Sequence, residues 1–171
     1  PFAPSFYGLD FSELPALIGA FAYGPVAGVM IEFCKILIKL VLKPSSTAFV
    51  GELANFSISC MLVLPASVIY LFKKSRKQAI LGTVVGTLIM TAFGSCFNAI
   101  YLLPKFSELY GIPLDAIIGM GTAINPAIHS ISGLVLMCVV PLNLLKGGLV
   151  SLITILVYKK LSPILKAAHK Q

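Results

Sequence analysis

Two apolar stretches without a single charged side chain, Phe56–Phe72 and Ala79–Leu103, flank a short segment that carries Lys73, Lys74, Arg76 and Lys77. Each stretch approaches or exceeds the roughly 20 residues an α-helix needs to cross about 30 Å of hydrocarbon. The pattern predicts a membrane hairpin with its basic turn in the cytoplasm, following the positive-inside bias. Lys159, Lys160, Lys166 and Lys170 follow the last apolar run and place the C-terminus on the same side.

Composition supports this reading. The chain is 58% hydrophobic and 11% charged, with a mean hydropathy of +0.98, outside the range of ordinary soluble domains. Its net charge of +7 resembles that of a nucleic-acid binder, but eight of its thirteen cations lie in the two basic clusters. Membrane topology accounts for them, and no nucleic-acid partner is expected. Cys34, Cys60, Cys96 and Cys138 sit far apart in apolar runs, without CxxC or zinc-ligand spacing. They read as small hydrophobes.

The expected architecture is all-α, a single integral-membrane domain over residues 1–171 with about five helices. Pro1–Asp10, rich in proline and aromatics and lacking a cationic start, reads as a membrane-surface loop rather than a signal peptide. Asp10 or Ser12 is placed to cap a short helix ending at Tyr23, where Gly24-Pro25 breaks it. Further helices are expected over Val26–Leu42, from Glu52 to Phe72, over Lys77–Leu103 with a stop near Pro104, and over His129–Leu161 with a kink at Pro141. Turn signals at Gly111-Ile112-Pro113 and Asn125-Pro126 interrupt the connection before the last helix. With both basic clusters inside, Pro1–Asp10, Pro44–Val50 and Lys105–Ile128 converge on the outer surface. The parity of the spans puts the N-terminus outside, as in a chain lacking an earlier helix.

Polar residues within the apolar helices are the candidates for function. Lys146 lies 13 residues before Lys159, roughly 20 Å along a helix, too deep to snorkel inward with ease. An ammonium at that depth faces protein or a water-filled cavity. Asn143 shares its helical face at i,i+3, and Asn98 lies near the outer end of the preceding long helix. Amides donate and accept hydrogen bonds while an ammonium only donates. Together they suit the edge of a flat heterocycle rich in C=O and N–H groups. The bland alternative is that the amides join helices and Lys146 snorkels. Glu32 and Lys35 at i,i+3 read as an internal ion pair. The spacings Ala16-x-x-x-Ala20, Gly24-x-x-x-Gly28 and Gly82-x-x-x-Gly86 permit close helix packing but are frequent by chance.

Catalysis finds little footing. His129-Ser130 has no acid partner nearby in sequence, Gly119-Met120-Gly121 lacks the rest of a phosphate loop, and no acidic or HExxH cluster suggests a metal. Neither an enzyme nor a bound cofactor is expected.

Leu9-Asp10-Phe11-Ser12-Glu13-Leu14-Pro15, Phe21-Ala22-Tyr23-Gly24-Pro25-Val26-Ala27-Gly28 and Glu52-Leu53-Ala54-Asn55-Phe56 occur in that order. Asn98 with Tyr101-Leu102-Leu103-Pro104 follows, then Pro141-Leu142-Asn143-Leu144-Leu145-Lys146-Gly147. Taken together, these motifs resemble the riboflavin-specific substrate-binding (S) component of bacterial energy-coupling factor (ECF) transporters, over nearly the whole chain. The resemblance implies a six-helix bundle, of which this sequence lacks the first helix with its small-residue coupling face. It implies capture of riboflavin, or of flavin mononucleotide, near the extracellular side of a bacterial plasma membrane. Asn98, Asn143 and Lys146 would hold the polar edge of the isoalloxazine ring, and Asp10, Phe11, Glu52, Asn55 and Tyr101 fall in the matching motifs as further ligand residues. The implied partners are membrane lipid, a coupling transmembrane subunit and two ATPase subunits, which hydrolyse the ATP. S components for folate, thiamine or biotin, a small lipid-modifying membrane enzyme and a purely structural subunit are the competing readings.

Overall fold

In the computed structural model, which describes residues 12–42 and 49–167 and their side chains through Val157, the described chain is helical throughout and contains no strand. Helix α1 (Glu13–Tyr23) is followed directly by α2 (Pro25–Leu42). Gly24 separates them at φ 100°, a backbone conformation that glycine adopts without the Cβ penalty, and Pro25 starts α2, where its missing N–H costs nothing. Helix α3 (Val50–Phe72) turns at the basic segment into α4 (Arg76–Tyr110). The Ser75 hydroxyl accepts from the Gln78 N–H and caps that turn. A short α5 (Leu114–Thr122) lies in the connection to α6, which spans residues 131–167. Asp10 and the Pro44–Thr47 loop lie outside the described residues. Ser12 occupies the cap position of α1, but its hydroxyl makes no capping bond there.

Three helices among the described residues are long and apolar enough to cross a membrane: α3, α4 and the Ile131–Val157 part of α6. Helix α2 has 18 residues, about 27 Å at 1.5 Å per residue, but carries Glu32, Lys35 and Lys39. Helix α1, with 11 residues, is too short to cross upright, as its sequence predicts.

The helix expected to stop near Pro104 runs past it. Pro104 has no N–H to offer the carbonyl one turn back. The chain answers with a π-helical turn at Asn98–Leu102, in which the Leu103 N–H donates to the Asn98 carbonyl, and α4 continues to Tyr110. Its true end is Gly111, left-handed at φ 62°. Pro141 is likewise preceded by a π-helical turn at Val135–Val139. Such turns let a helix pass a missing donor without breaking.

Packing follows membrane logic. The inward face of α4 carries Gly82, Thr83, Gly86, Thr87, Thr91 and Gly94, while Leu81, Val84 and Leu88 point outward. Without a hydrophobic drive between helices in lipid, close approach of small residues supplies the contact. A Cβ on Gly82 would lie 2.5 Å from the Ala66 carbonyl oxygen, and one on Gly86 would lie 2.5 Å from that of Leu62. Gly28 of α2 similarly meets Ala20 and Val63, so all three small-residue spacings contribute residues to helix contacts. Since the α3 backbone itself blocks the space, Gly86→Val is expected to destabilise the bundle by about 1–3 kcal/mol or more. Thermal unfolding in detergent reads this directly; an unchanged midpoint would mean that α3 and α4 are not packed this closely.

Candidate functional site

A quartet of charges is built into the interior where α1, α2, α3 and α6 meet. Glu13, in the first turn of α1, is fully buried. Its Oε1 receives the Lys146 Nζ of α6 at 2.6 Å and the Ser59 hydroxyl of α3 at 2.7 Å, with the Lys35 Nζ of α2 at 3.7 Å. Lys35 reaches Glu32 Oε2 at 2.5 Å, completing the i,i+3 pair read from the sequence. The Glu13 and Glu32 side chains are 0% exposed, those of Lys35 and Lys146 15% and 12%. Two carboxylates and two ammoniums leave the group formally neutral. That balance is what makes its burial tolerable, because an unpaired charge here would carry an uncompensated desolvation cost.

One turn along α6 from Lys146, Asn143 and Asn98 converge on Gly94. The Asn98 amide, 3% exposed, donates from Nδ2 to the Gly94 carbonyl at 2.7 Å. The Asn143 Nδ2 lies against the same glycine, 2.9 Å from where a Cβ would stand, so Gly94 makes room for it. Among the described residues that Nδ2 is buried and has no hydrogen-bond partner, although an amide N–H normally finds an acceptor when buried. Asn98 also opens the π-helical turn of α4, a device that recurs at functional sites because it redirects side chains. Asn98 and Asn143 thus meet at Gly94 of α4, while Lys146, one turn along α6 from Asn143, reaches Glu13 of α1.

The other candidates are more dispersed. Glu52 and Asn55 are half-buried at the start of α3. They precede Ile58, which packs against the Gly94 level, by one to two helical turns. Tyr101 is 43% exposed and continues an aromatic row with Phe97, ring centroids 5.1 Å apart, and Phe93. Asp10 and Phe11 lie outside the described residues. Among the described residues no cluster of His, Cys, Asp and Glu has the makings of a metal site.

The residue that sequence reasoning left without a role is Glu13. Its signal was present: a lone carboxylate in an otherwise uncharged helix, within a motif already singled out. The depth of Lys146 requires it to face protein or a cavity, and the structure gives it the Glu13 carboxylate. An open groove of about 390 Å³ between α1 and α2 is lined mostly by apolar side chains, Pro15, Met30, Ile31 and Ile38, and by Lys35 of the charge quartet. It does not coincide with the amide pair.

A family profile described as "ECF transporter, substrate-specific component" matches residues 1–158. The chain is 33% identical to riboflavin transporter RibU of Staphylococcus aureus (strain TCH60), over 97% of this chain and 80% of that protein. It is 30% identical to riboflavin transporter FmnP of Bacillus subtilis (strain 168), over 95% of this chain and 80% of the relative. A solved structure of the S component of a bacterial ECF transporter superposes with a TM-score of 0.71 at 34% identity, covering 97% of this chain and 84% of that one.

Proposed function

The chain belongs to the substrate-specific component family of ECF transporters, and from that premise we propose that it captures riboflavin at the outer face of a bacterial plasma membrane. Delivery then passes through a coupling transmembrane subunit driven by two ATPases. The relatives' shared designation as riboflavin transporters supports the cargo. The observation that carries the site is the convergence of Asn98 and Asn143 on Gly94, one turn from Lys146. A donor amide, a second amide and an ammonium match the alternating acceptors and donors along the edge of an isoalloxazine ring. Flavin mononucleotide shares that ring and is the nearest alternative cargo. The basic turn at Lys73–Lys77 and the lysine-rich tail set the orientation, with the C-terminus cytoplasmic. Val84, Leu88, Leu136 and Leu152 are exposed on the outside of the bundle, the apolar surface a bilayer would cover.

Riboflavin titrated into the purified protein should bind and should not be displaced by thiamine, biotin or folate. Asn143→Ala should weaken binding by about 5- to 150-fold, the range for losing one hydrogen bond to a desolvated group. Displacement by another vitamin would reassign the cargo, and unchanged affinity in the variant would move the site away from Gly94.

A further inference from the structure

Glu13 is held more firmly than an ion-pair partner needs to be. Its Oε1 takes the Ser59 hydroxyl from α3 and the Lys146 ammonium from α6, with Lys35 of α2 alongside, so one atom ties three helices to α1. A buried ion pair is weak evidence for stability, since well-packed apolar side chains of the same volume often serve as well or better. The arrangement therefore calls for a reason other than folding. Lys146 supplies one. A lysine ammonium sits on a flexible four-carbon stem, and its position is undefined until something anchors it. One of its three N–H donors goes to Glu13, which leaves two for other acceptors. Asn143, one turn away on the same helix, presents its unpartnered buried Nδ2.

We propose that Glu13 is a positioning residue for ligand binding: it anchors and neutralises the Lys146 ammonium, so that the remaining donors are aimed beside Asn143 at an uncharged, carbonyl-bearing ring. Glu32 and Lys35 keep the surrounding charge balanced, and Ser59 fixes the carboxylate that does the anchoring. The inference rests on the reading that Lys146 contacts riboflavin, and it adds that Glu13 acts through Lys146 rather than through the fold.

A double-mutant cycle on the full chain, with riboflavin as the probe, separates these possibilities. Glu13→Gln should weaken binding by about tenfold or more in the native background. In a Lys146→Met background the same change should alter affinity by less than about twofold, the limit expected for uncoupled sites. Glu13→Asp, which retains the charge, should restore part of the loss as the flexible lysine follows the shorter carboxylate. Equal losses in both backgrounds would make Glu13 a structural residue and overturn the proposal, as would native affinity in Glu13→Gln. Native affinity in Lys146→Met alone would instead remove the ligand reading, and this inference with it. Where Glu13→Gln yields no folded protein, Ser59→Ala loosens the carboxylate without stranding a charge. It should weaken binding by about threefold in the native background and have no effect once Lys146 is methionine; no effect in the native background overturns the proposal.

Discussion

Replacing Lys146 with methionine, first alone and then together with Glu13→Gln, is expected to separate two quantities that usually fall together, ligand affinity and bundle stability. Affinity should drop by about 5- to 150-fold, because the ammonium's hydrogen bond to a desolvated ring is lost. Stability should also fall, because Glu13 keeps only the Ser59 hydroxyl and the more distant Lys35 around its buried carboxylate. Breaking a buried pair from one side costs about 3–5 kcal/mol, and the partners that remain place this case at or below the lower end. Combining Lys146→Met with Glu13→Gln removes both charges of the pair, and much of the lost stability should return. The lost affinity should not. Thermal unfolding and riboflavin titration on the two variants test both halves. Recovery of affinity in the double variant would mean that Lys146 serves the fold and that the ring is held elsewhere.

The helices were legible in the sequence because an uncharged apolar run of membrane length has few alternatives. Gly24-Pro25, Gly111 and the basic turn at Lys73–Lys77 marked their limits by plain backbone and charge rules. Pro104 misled because the rule that proline stops a helix concerns one missing hydrogen bond, and a π-helical turn at Asn98–Leu102 reroutes the pattern around it. The site was half legible. Asn143 and Lys146 share a face through helical spacing alone, and Glu32–Lys35 is a local pair of the same kind. The Glu13–Lys146 contact joins the first and last described helices, and no local period reports a contact of that range. Gly94 was equally silent, since its importance lies in what approaches it, Asn143 from α6 and Ile58 from α3. The burial of Glu13 followed from neither charge nor position; it depends on four helices meeting.

Proteoliposomes containing this chain alone are expected to take up riboflavin only in proportion to the protein they hold. Sustained accumulation requires an energy input, and the sequence offers no phosphate-binding loop through which ATP could act. An ion gradient needs a titratable or ion-coordinating path, but the buried charges described here compensate one another within a single cluster, Glu13 with Lys146 and Glu32 with Lys35. Chains that couple to gradients commonly build discontinuous helices around the ion at the bilayer midplane. In this chain the π-helical turns leave α4 and α6 continuous. Radiolabelled riboflavin should therefore plateau at a level stoichiometric with binding sites, insensitive to proton or sodium gradients. Uptake over many turnovers should require the coupling subunit, its ATPases and ATP, together with a first helix that supplies the small-residue coupling face. Gradient-dependent accumulation by the isolated chain would identify a secondary carrier and overturn delivery through a coupled ATPase.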